Sequence, residues 1–270
     1  MFRPGIVAVS GSYVIAFSSI SGTLWFGWPD EGLEYNLGDT GLLVKPGTSP
    51  SVASAAPAFK VAFQSNTGEL MVYSNIGGTI NTHLGMMAGT SPSITSLASG
   101  GFEVAFQANT GVLWVYSSAG VGTPTSVTLM PRTSPAIVGL SGSDFEIAYQ
   151  TSTGELGFMN SSLTTVTTTL AVSAGTSPAI TKLSSSFEIA FQGTTGTLWT
   201  AVPSGGSATG TNSTLAMMPG TNPAIGALGT GVQMAFQAPT GLLWYVPPTG
   251  SAVATTETVQ TGTSPTMAVY

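Results

Sequence analysis

The sequence predicts an all-β fold, a six-bladed β-propeller of four-stranded antiparallel blades. Three observations predict it: a repeat of 42 to 46 residues through the whole chain, strand-like segments separated by turn residues within each repeat, and no sustained 3.6-residue apolar period with helix caps. The repeat is measured between prolines that follow a recurring turn signal. Pro4, Pro50, Pro92, Pro135, Pro178, Pro223 and Pro265 are separated by 46, 42, 43, 43, 45 and 42 residues. A period near ~40–45 built from four short strands is that of a propeller blade. The chain is therefore read as one domain over residues 1–270 rather than two.

The clearest unit is Phe102 to Tyr116, FEVAFQANTGVLWVY. Phe102–Gln107 reads as a strand. Asn109-Thr110-Gly111 supplies turn chemistry, because Asn and Gly tolerate positive φ. Val112–Tyr116 reads as the return strand, so the stretch is a β-hairpin. The hairpin recurs from Ile15, Val61, Ile147, Ile189 and Met234, which makes six. In the third repeat the four strands are expected at Ser93–Leu97, Phe102–Gln107, Val112–Tyr116 and Ser126–Met130.

Gly-Thr-Ser-Pro or a close variant stands before five of the six hairpins and once more at Gly262, after the last. It is read as a blade-to-blade turn in which hydroxyls bond nearby backbone and proline fixes φ. Alternation within the second strand puts Phe102, Val104 and Phe106 on one face and Glu103, Ala105 and Gln107 on the other. The repeated Ala (Ala16, Ala62, Ala105, Ala148, Ala190, Ala235) leaves room for something bulky from the next blade, and the third-strand Trp is the expected occupant. The ends hold one copy too many. Arg3–Val9 and Gly262–Val269 both match the first-strand segment, giving seven such segments for six hairpins. Thr266–Val269 is expected to pair beside the N-terminal blade and close the ring.

Composition narrows the function. Charged residues are 6% of the chain, against about 25% in an average domain. Two Arg and three Lys in a chain of net charge −6 cannot form a phosphate-tracking surface, which argues against nucleic acid and anionic membranes. The chain has no cysteine, so disulfides and thiolate metal sites are excluded. No apolar run approaches the ~18 residues of a membrane span. No signal peptide is visible at the N-terminus. The place of action is expected to be extracellular or at a cell surface, with cytoplasmic storage as the alternative.

Polar groups recur as like residues around a ring, not as unlike residues gathered at one place. That pattern suits several equivalent binding sites better than catalysis. The candidate ligand-binding residues are the second-strand amides Gln64, Gln107, Gln192 and Gln237, the turn residues Asn66, Asn109 and Thr194, and the third-strand aromatics Trp114, Trp199 and Trp244. An amide matches hydroxyl pairs on a sugar, and an indole face matches its C–H face. Each also has a purely structural reading: a strand-end amide can bond the turn, and a mid-strand Trp can fill the seam between blades. The full set survives best in the third and fifth repeats. Met71 replaces Trp in the second and Gly157 in the fourth, while Ser18 replaces Gln in the first. Glu103, Glu146 and Glu188 are expected on a solvated rim at the opposite mouth. Asp30, Glu31, Glu34 and Asp39 read as a solvated loop, and His83 lacks partners for catalysis or metal binding. No catalytic residue, metal ligand or cofactor is expected.

The pattern [VI]-A-F-Q-x-[NT]-T-G-x-L-W, with G-T-S-P upstream, resembles tandem repeats of bacterial, often actinobacterial, proteins. Its layout is similar to the β-propeller lectins, including the tachylectin-2-like group and the six-bladed fucose lectins. The resemblance implies sugar pockets between neighbouring blades, one per repeat, and glycans or glycoconjugates as partners. It does not extend to fucose-lectin chemistry, which implies an Arg and a Glu in every repeat where this chain has only Arg3 and Arg132. The turn at Asn109 also resembles the Asp-box of sialidases, but their arginine cluster is missing. The function expected is a multivalent carbohydrate-binding protein. The competing readings are a structural or protein-binding propeller and, third, a glycoside hydrolase.

Overall fold

The computed structural model describes residues 4–9, 12–29, 35–55, 58–184 and 186–268. Among these there is no helix, and the chain is a six-bladed β-propeller. Blade one is β1 (Gly5–Val9), β2 (Ser12–Ser18), β3 (Thr23–Pro29) and β4 (Tyr35–Leu43). Blade two is β5 (Ser51–Ala55), β6 (Ala58–Gln64), β7 (Glu69–Ser74) and β8 (Gly78–Gly85). Blade three is β9 (Ser93–Ser96), β10 (Phe102–Gln107), β11 (Val112–Ser117) and β12 (Gly122–Thr128). Blade four is β13 (Ala136–Gly139), β14 (Phe145–Gln150), β15 (Glu155–Asn160) and β16 (Thr165–Ala171). Blade five is β17 (Ala179–Leu183), β18 (Ser186–Gln192), β19 (Thr197–Ser204) and β20 (Ser207–Ala216). Blade six is β21 (Ala224–Leu228), β22 (Gly231–Gln237), β23 (Leu242–Val246) and β24 (Val253–Thr258).

Every blade is an antiparallel meander of four consecutive strands. Its second strand lies between the first and third, as Ala105 shows by pairing with Ser93 on one side and Val115 on the other. The fourth strand of blade three begins earlier than the sequence suggests. A tight turn at Ser117–Gly120 replaces the longer loop expected there, and Pro124 sits opposite Trp114 within β12. Proline is tolerated because β12 is the outermost strand, where a missing N–H breaks no further ladder.

The Gly-Thr-Ser-Pro turns form the hub. The threonine hydroxyl bonds back to the carbonyl three residues earlier, as Thr90 does to Met87 at 2.8 Å and Thr176 to Ser173 at 2.7 Å. The next residue passes a hydrogen bond from turn to turn. Ser49 N–H donates to Ser91 Oγ, Ser91 to Ser134, Ser134 to Ser177, Ser177 to Asn222 Oδ1, and Asn222 to Ser264 Oγ, all at 2.7–2.9 Å. These turns surround a central funnel of about 450 Å³.

Five apolar clusters lie between blades, joining one to two, two to three, three to four, four to five and five to six. One chemistry builds all five. The leading face of each blade offers the small second-strand Ala and a third-strand Leu. The next blade fills that space with its second-strand Val, Ile or Met and its Phe or Tyr. Ala62 thus meets Val104 and Phe106, and Ala105 meets Ile147 and Tyr149. The Trp expected over this Ala shares that space: Trp114, Trp199 and Trp244 pack, partly buried, against the clusters that hold Ala62, Ala148 and Ala190 of the preceding blades. Trp114 faces the preceding blade, on the same side as Phe106, and belongs to the cluster between blades two and three.

Backbone bonds stitch the same seams at the mouth where the second strand ends. At one seam Lys45 N–H donates to Gln64 O and Asn66 N–H to Leu43 O; the next repeats this with Met87 to Gln107 and Asn109 to Gly85. The seam from five to six keeps only Met218 N–H to Gln237 O, because Pro239 stands where the second donor would be.

The seam between blades six and one differs. None of the five clusters spans it, and among the described residues no backbone bond of the stitching kind does. Leu24, Leu70, Leu113, Leu156 and Leu198 are fully buried, but the equivalent Leu243 is only half-buried. Phe63, Phe106, Tyr149, Phe191 and Phe236 are at most 1% exposed, but Phe17 is half-buried. Thr266–Ala268 form no strand beside blade one, which corrects the expected closure; β1 fills the inner position of that blade, and Val269 lies outside the described residues.

Candidate binding grooves at the blade seams

The third-strand aromatic is placed by a register shift that recurs in every blade. The ladder between third and fourth strands slips between Thr23 and Trp25, Glu69 and Met71, Val112 and Trp114, Glu155 and Gly157, Thr197 and Trp199, and Leu242 and Trp244. A bulge of this kind bends the strand and re-aims a side chain. A fourth-strand hydroxyl seals each bulge by donating to the third-strand Leu carbonyl: Thr40 to Leu24, Thr82 to Leu70, Thr125 to Leu113, Thr168 to Leu156, Ser213 to Leu198 and Thr255 to Leu243, at 2.7–2.9 Å. Sequence reading missed this element. Its signal was a Thr 12 residues after that Leu in four of the six repeats, displaced in the first and fifth by longer third and fourth strands.

The side chains so aimed (Trp25, Met71, Trp114, Trp199 and Trp244) are half-buried, and the strips of surface they border along the seams are the candidate grooves. Between blades two and three, Trp114 is half-buried and lies with Leu84 against the cluster. Asn109 is exposed at the groove's end. Its backbone is pinned to Gly85 O at 3.1 Å, and a Cβ on Gly85 would stand 2.7 Å from Asn109 Nδ2, so the glycine is what lets the amide lie over the preceding blade. Between blades four and five, half-buried Trp199 lies with Leu170, and exposed Thr194 is pinned to Ala171 O. In blade two Asn66 is exposed and Met71 is half-buried. In blade four Tyr149 occupies the space over Gly157, where a Cβ would stand 2.3 Å from its ring.

The indole N–H groups are not equivalent. Trp25 and Trp199 donate to the Thr two residues earlier, Thr23 at 2.9 Å and Thr197 at 3.1 Å. Val112 and Leu242 hold that place in blades three and six and offer no acceptor. Trp244 Nε1 is buried with no hydrogen-bond partner, a cost that a neighbouring acceptor would relieve.

The glutamines are placed elsewhere. Gln64, Gln107, Gln150, Gln192 and Gln237 are at most 1% exposed. Their amide nitrogens donate to the backbone where their own blade leaves for the hub: Gln107 to Leu129 and Met130, Gln150 to Val172, Gln192 to Met218, Gln237 to Val259. Each amide ties the second strand to the end of the fourth. A side chain so enclosed touches no ligand unless the blade end opens, so Gln64, Gln107, Gln192 and Gln237 are scaffold in this structure, beneath the grooves.

The glutamates are also not on a solvated rim. Glu146 is buried, and Glu103 and Glu188 are half-buried, all facing the next blade. Burial raises the Glu103 and Glu146 carboxyls to about 7, and Glu188 moves the same way. Burial, with the nearby Glu146 charge, pushes Tyr149 up to about 12. Lys60, in the same register, lies over the Phe102 ring 5.6 Å from its centre, so this layer is a set of inter-blade contacts. Asp39 accepts from Gly41 N–H in a local turn, while Asp30, Glu31 and Glu34 lie outside the described residues. His83 is exposed, at 3.6 Å from Glu69.

No protein-family model matches the chain, and no curated protein sequence matches it. Solved structures match over nearly its whole length. It is similar to a lectin from Aleuria aurantia, solved as a mutant with Fucα1-6GlcNAc, at 15% identity, 96% coverage of both chains and a TM-score of 0.68. AofleA from Arthrobotrys oligospora matches at 12% identity, covering 94% of this chain and 88% of its own, with a TM-score of 0.64. BBS1N, in a complex with ARL6DN, matches at 11% identity over 95% and 81%, with a TM-score of 0.57. At such identities the likeness shows the propeller fold.

Proposed function

We propose that the protein is a multivalent carbohydrate-binding protein whose sites are the rim grooves at closed seams. The observation that carries this is the pairing of a half-buried indole with an exposed polar turn residue: Trp114 with Asn109, and Trp199 with Thr194. The indole offers an apolar face to sugar C–H groups, and the turn offers hydrogen-bonding groups to adjacent hydroxyls. Fucose-bound lectins on the same architecture support the reading, although the arginine-based chemistry absent from this sequence is not part of it. The groove at Trp244 is a weaker member, since Pro239 lacks a turn donor, and the groove at Met71 and Asn66 lacks a stacking face.

The protein acts by binding, not catalysis. Modest sites repeated around one ring gain from avidity on a multivalent surface, and glycoconjugates outside a cell or at a cell surface are the proposed targets. A glycan array followed by calorimetry with the best-bound saccharide tests the proposal. Trp114→Ala and Asn109→Ala should each abolish or weaken one class of site in a protein that remains folded. The absence of binding to any glycan would leave a structural or protein-binding propeller.

A further inference from the structure

Trp25, Trp114, Trp199 and Trp244 share one register of the third strand, and the residue two places earlier sorts them. Thr23 and Thr197 take the indole N–H of Trp25 and Trp199. Each of these hydroxyls also belongs to a turn network, Thr23 with Ser19 and Ser21, and Thr197 with Thr195. Val112 and Leu242 stand at that place in blades three and six, and neither Trp114 nor Trp244 donates a hydrogen bond among the described residues. The tilt of the rings follows the same division. The bonded indoles Trp25 and Trp199 lie at 29° and 30° to the second-strand Phe, the unbonded Trp114 and Trp244 at 41° and 37°. The turn differs too. A Cβ on Gly193 would stand 2.5 Å from Trp199 Nε1, so that indole edge lies down on a glycine, whereas Ala108 and Ala238 hold the position in blades three and six. Of the two unbonded groups, Trp244 Nε1 is buried and Trp114 Nε1 reaches the surface.

We infer that the groove at Trp114 selects acetamido sugars, whose carbonyl takes the free indole N–H, while the groove at Trp199 is indifferent to that group. This specificity rests on the carbohydrate-binding reading above and adds to it the residue that sets the preference, Val112. An indole N–H only donates, so a ligand that covers it must bring an acceptor. A ligand without one strips the donor of water and leaves it unmade, which costs affinity. The equivalents of the residues around Trp199 Nε1 are apolar in blade three: Val112 stands for Thr197 and Ala108 for Gly193. A group that accepts one hydrogen bond and is otherwise apolar matches such an edge, and a carbonyl bearing a methyl is that group. A hydroxyl would bring its own hydrogen to the same edge, where neither Val112 nor Ala108 has a side chain to receive it. At Trp199 the N–H is already satisfied, so the ring face and the Thr194 turn are what remain, and acetamido and plain sugars stack there alike. Val112 acts through Trp114, by withholding the acceptor that Thr197 supplies in blade five.

The test is an NMR titration of the full, isotope-labelled chain in which each indole N–H peak is assigned by a Trp→Phe variant. N-acetylglucosamine and N-acetylgalactosamine are compared with glucose and galactose. The Trp114 peak should move downfield and saturate with the acetamido sugars, at an affinity about tenfold above that for the plain ones, as one added hydrogen bond allows. The Trp199 groove should bind both members of each pair alike. Val112→Thr should move the Trp114 peak downfield before any sugar is added and erase the preference. Thr197→Val should confer the preference on Trp199, and it decides the matter with the wild-type titration should Val112→Thr fail to fold. Equal affinity of the Trp114 groove for both members of a pair overturns the specificity and leaves the carbohydrate-binding reading standing. Saccharides that bind the chain on an array without moving the Trp114 peak do the same. A chain that binds no saccharide at all overturns both.

Discussion

The seam between blades two and three and the seam between blades six and one are made from the same sequence pattern, yet only the first is a core. At the former, Ala62 and Leu70 accept Val104 and Phe106, and two backbone bonds stitch the rim. At the latter, Ala235, Leu243, Ile15 and Phe17 retain more solvent contact, and among the described residues no stitching bond is made. Local sequence therefore specifies what a blade face can bury, while the neighbour decides whether it does. This is the logic of repeat proteins, in which stability is a sum of unit and interface terms.

The comparison breaks most visibly under truncation. Phe106→Ala should destabilise the chain by about 3–5 kcal/mol in urea unfolding, and the equivalent Phe17→Ala by about 1 kcal/mol, because only the first leaves a cavity in a closed core. Equal losses would show that the sixth seam is closed in solution. Overpacking gives a smaller contrast. Ala148→Phe should cost about 1–3 kcal/mol, since nothing at that seam can yield, whereas Ala235→Phe should be nearly neutral. Gln107→Ala sharpens the distinction between scaffold and groove. It should cost about 1–3 kcal/mol by leaving Leu129 and Met130 carbonyls without their amide donor, and leave the affinity of any intact groove unchanged.

The smallest effect is on pH dependence. Glu103 and Glu146 ordinarily titrate near 4.5 and are raised to about 7 in the folded chain. Folding thus favours their protonated forms. Their stabilising contribution is complete below about pH 4.5 and is lost as pH rises towards 7. Thermal melts across that window should show a declining melting temperature that flattens in a Glu103→Gln, Glu146→Gln variant. A profile identical in the double variant would place both carboxylates in solvent.

The architecture was legible in the sequence because each repeat states it again: Pro spacing, Asn-Thr-Gly turns and the alternation of Phe102 to Gln107 agree with one another. The exposure of the candidate site residues was legible only in part. Asn109 and Thr194 are exposed and Trp114 and Trp199 half-buried, as a groove requires. Gln107 is not, because a strand-end amide looks the same in sequence whether it meets solvent or the end of its own blade. The Glu layer misled for a related reason: a position at the far end of a strand is solvated only if the next blade leaves it open, and Phe145 and Phe187 of the next blades are buried at these seams. Nor does a single repeat show that its Trp is aimed by a bulge, since that depends on a Thr in another strand.

The proposed sugar sites are the closed seams that bear an indole and a polar turn. Calorimetric stoichiometry with the saccharide selected on an array tests it most directly. Two tight sites per chain are expected, one in Asn109→Ala, and none in Asn109→Ala combined with Thr194→Ala, with all three proteins equally stable. Two undiminished sites in the double variant would contradict it.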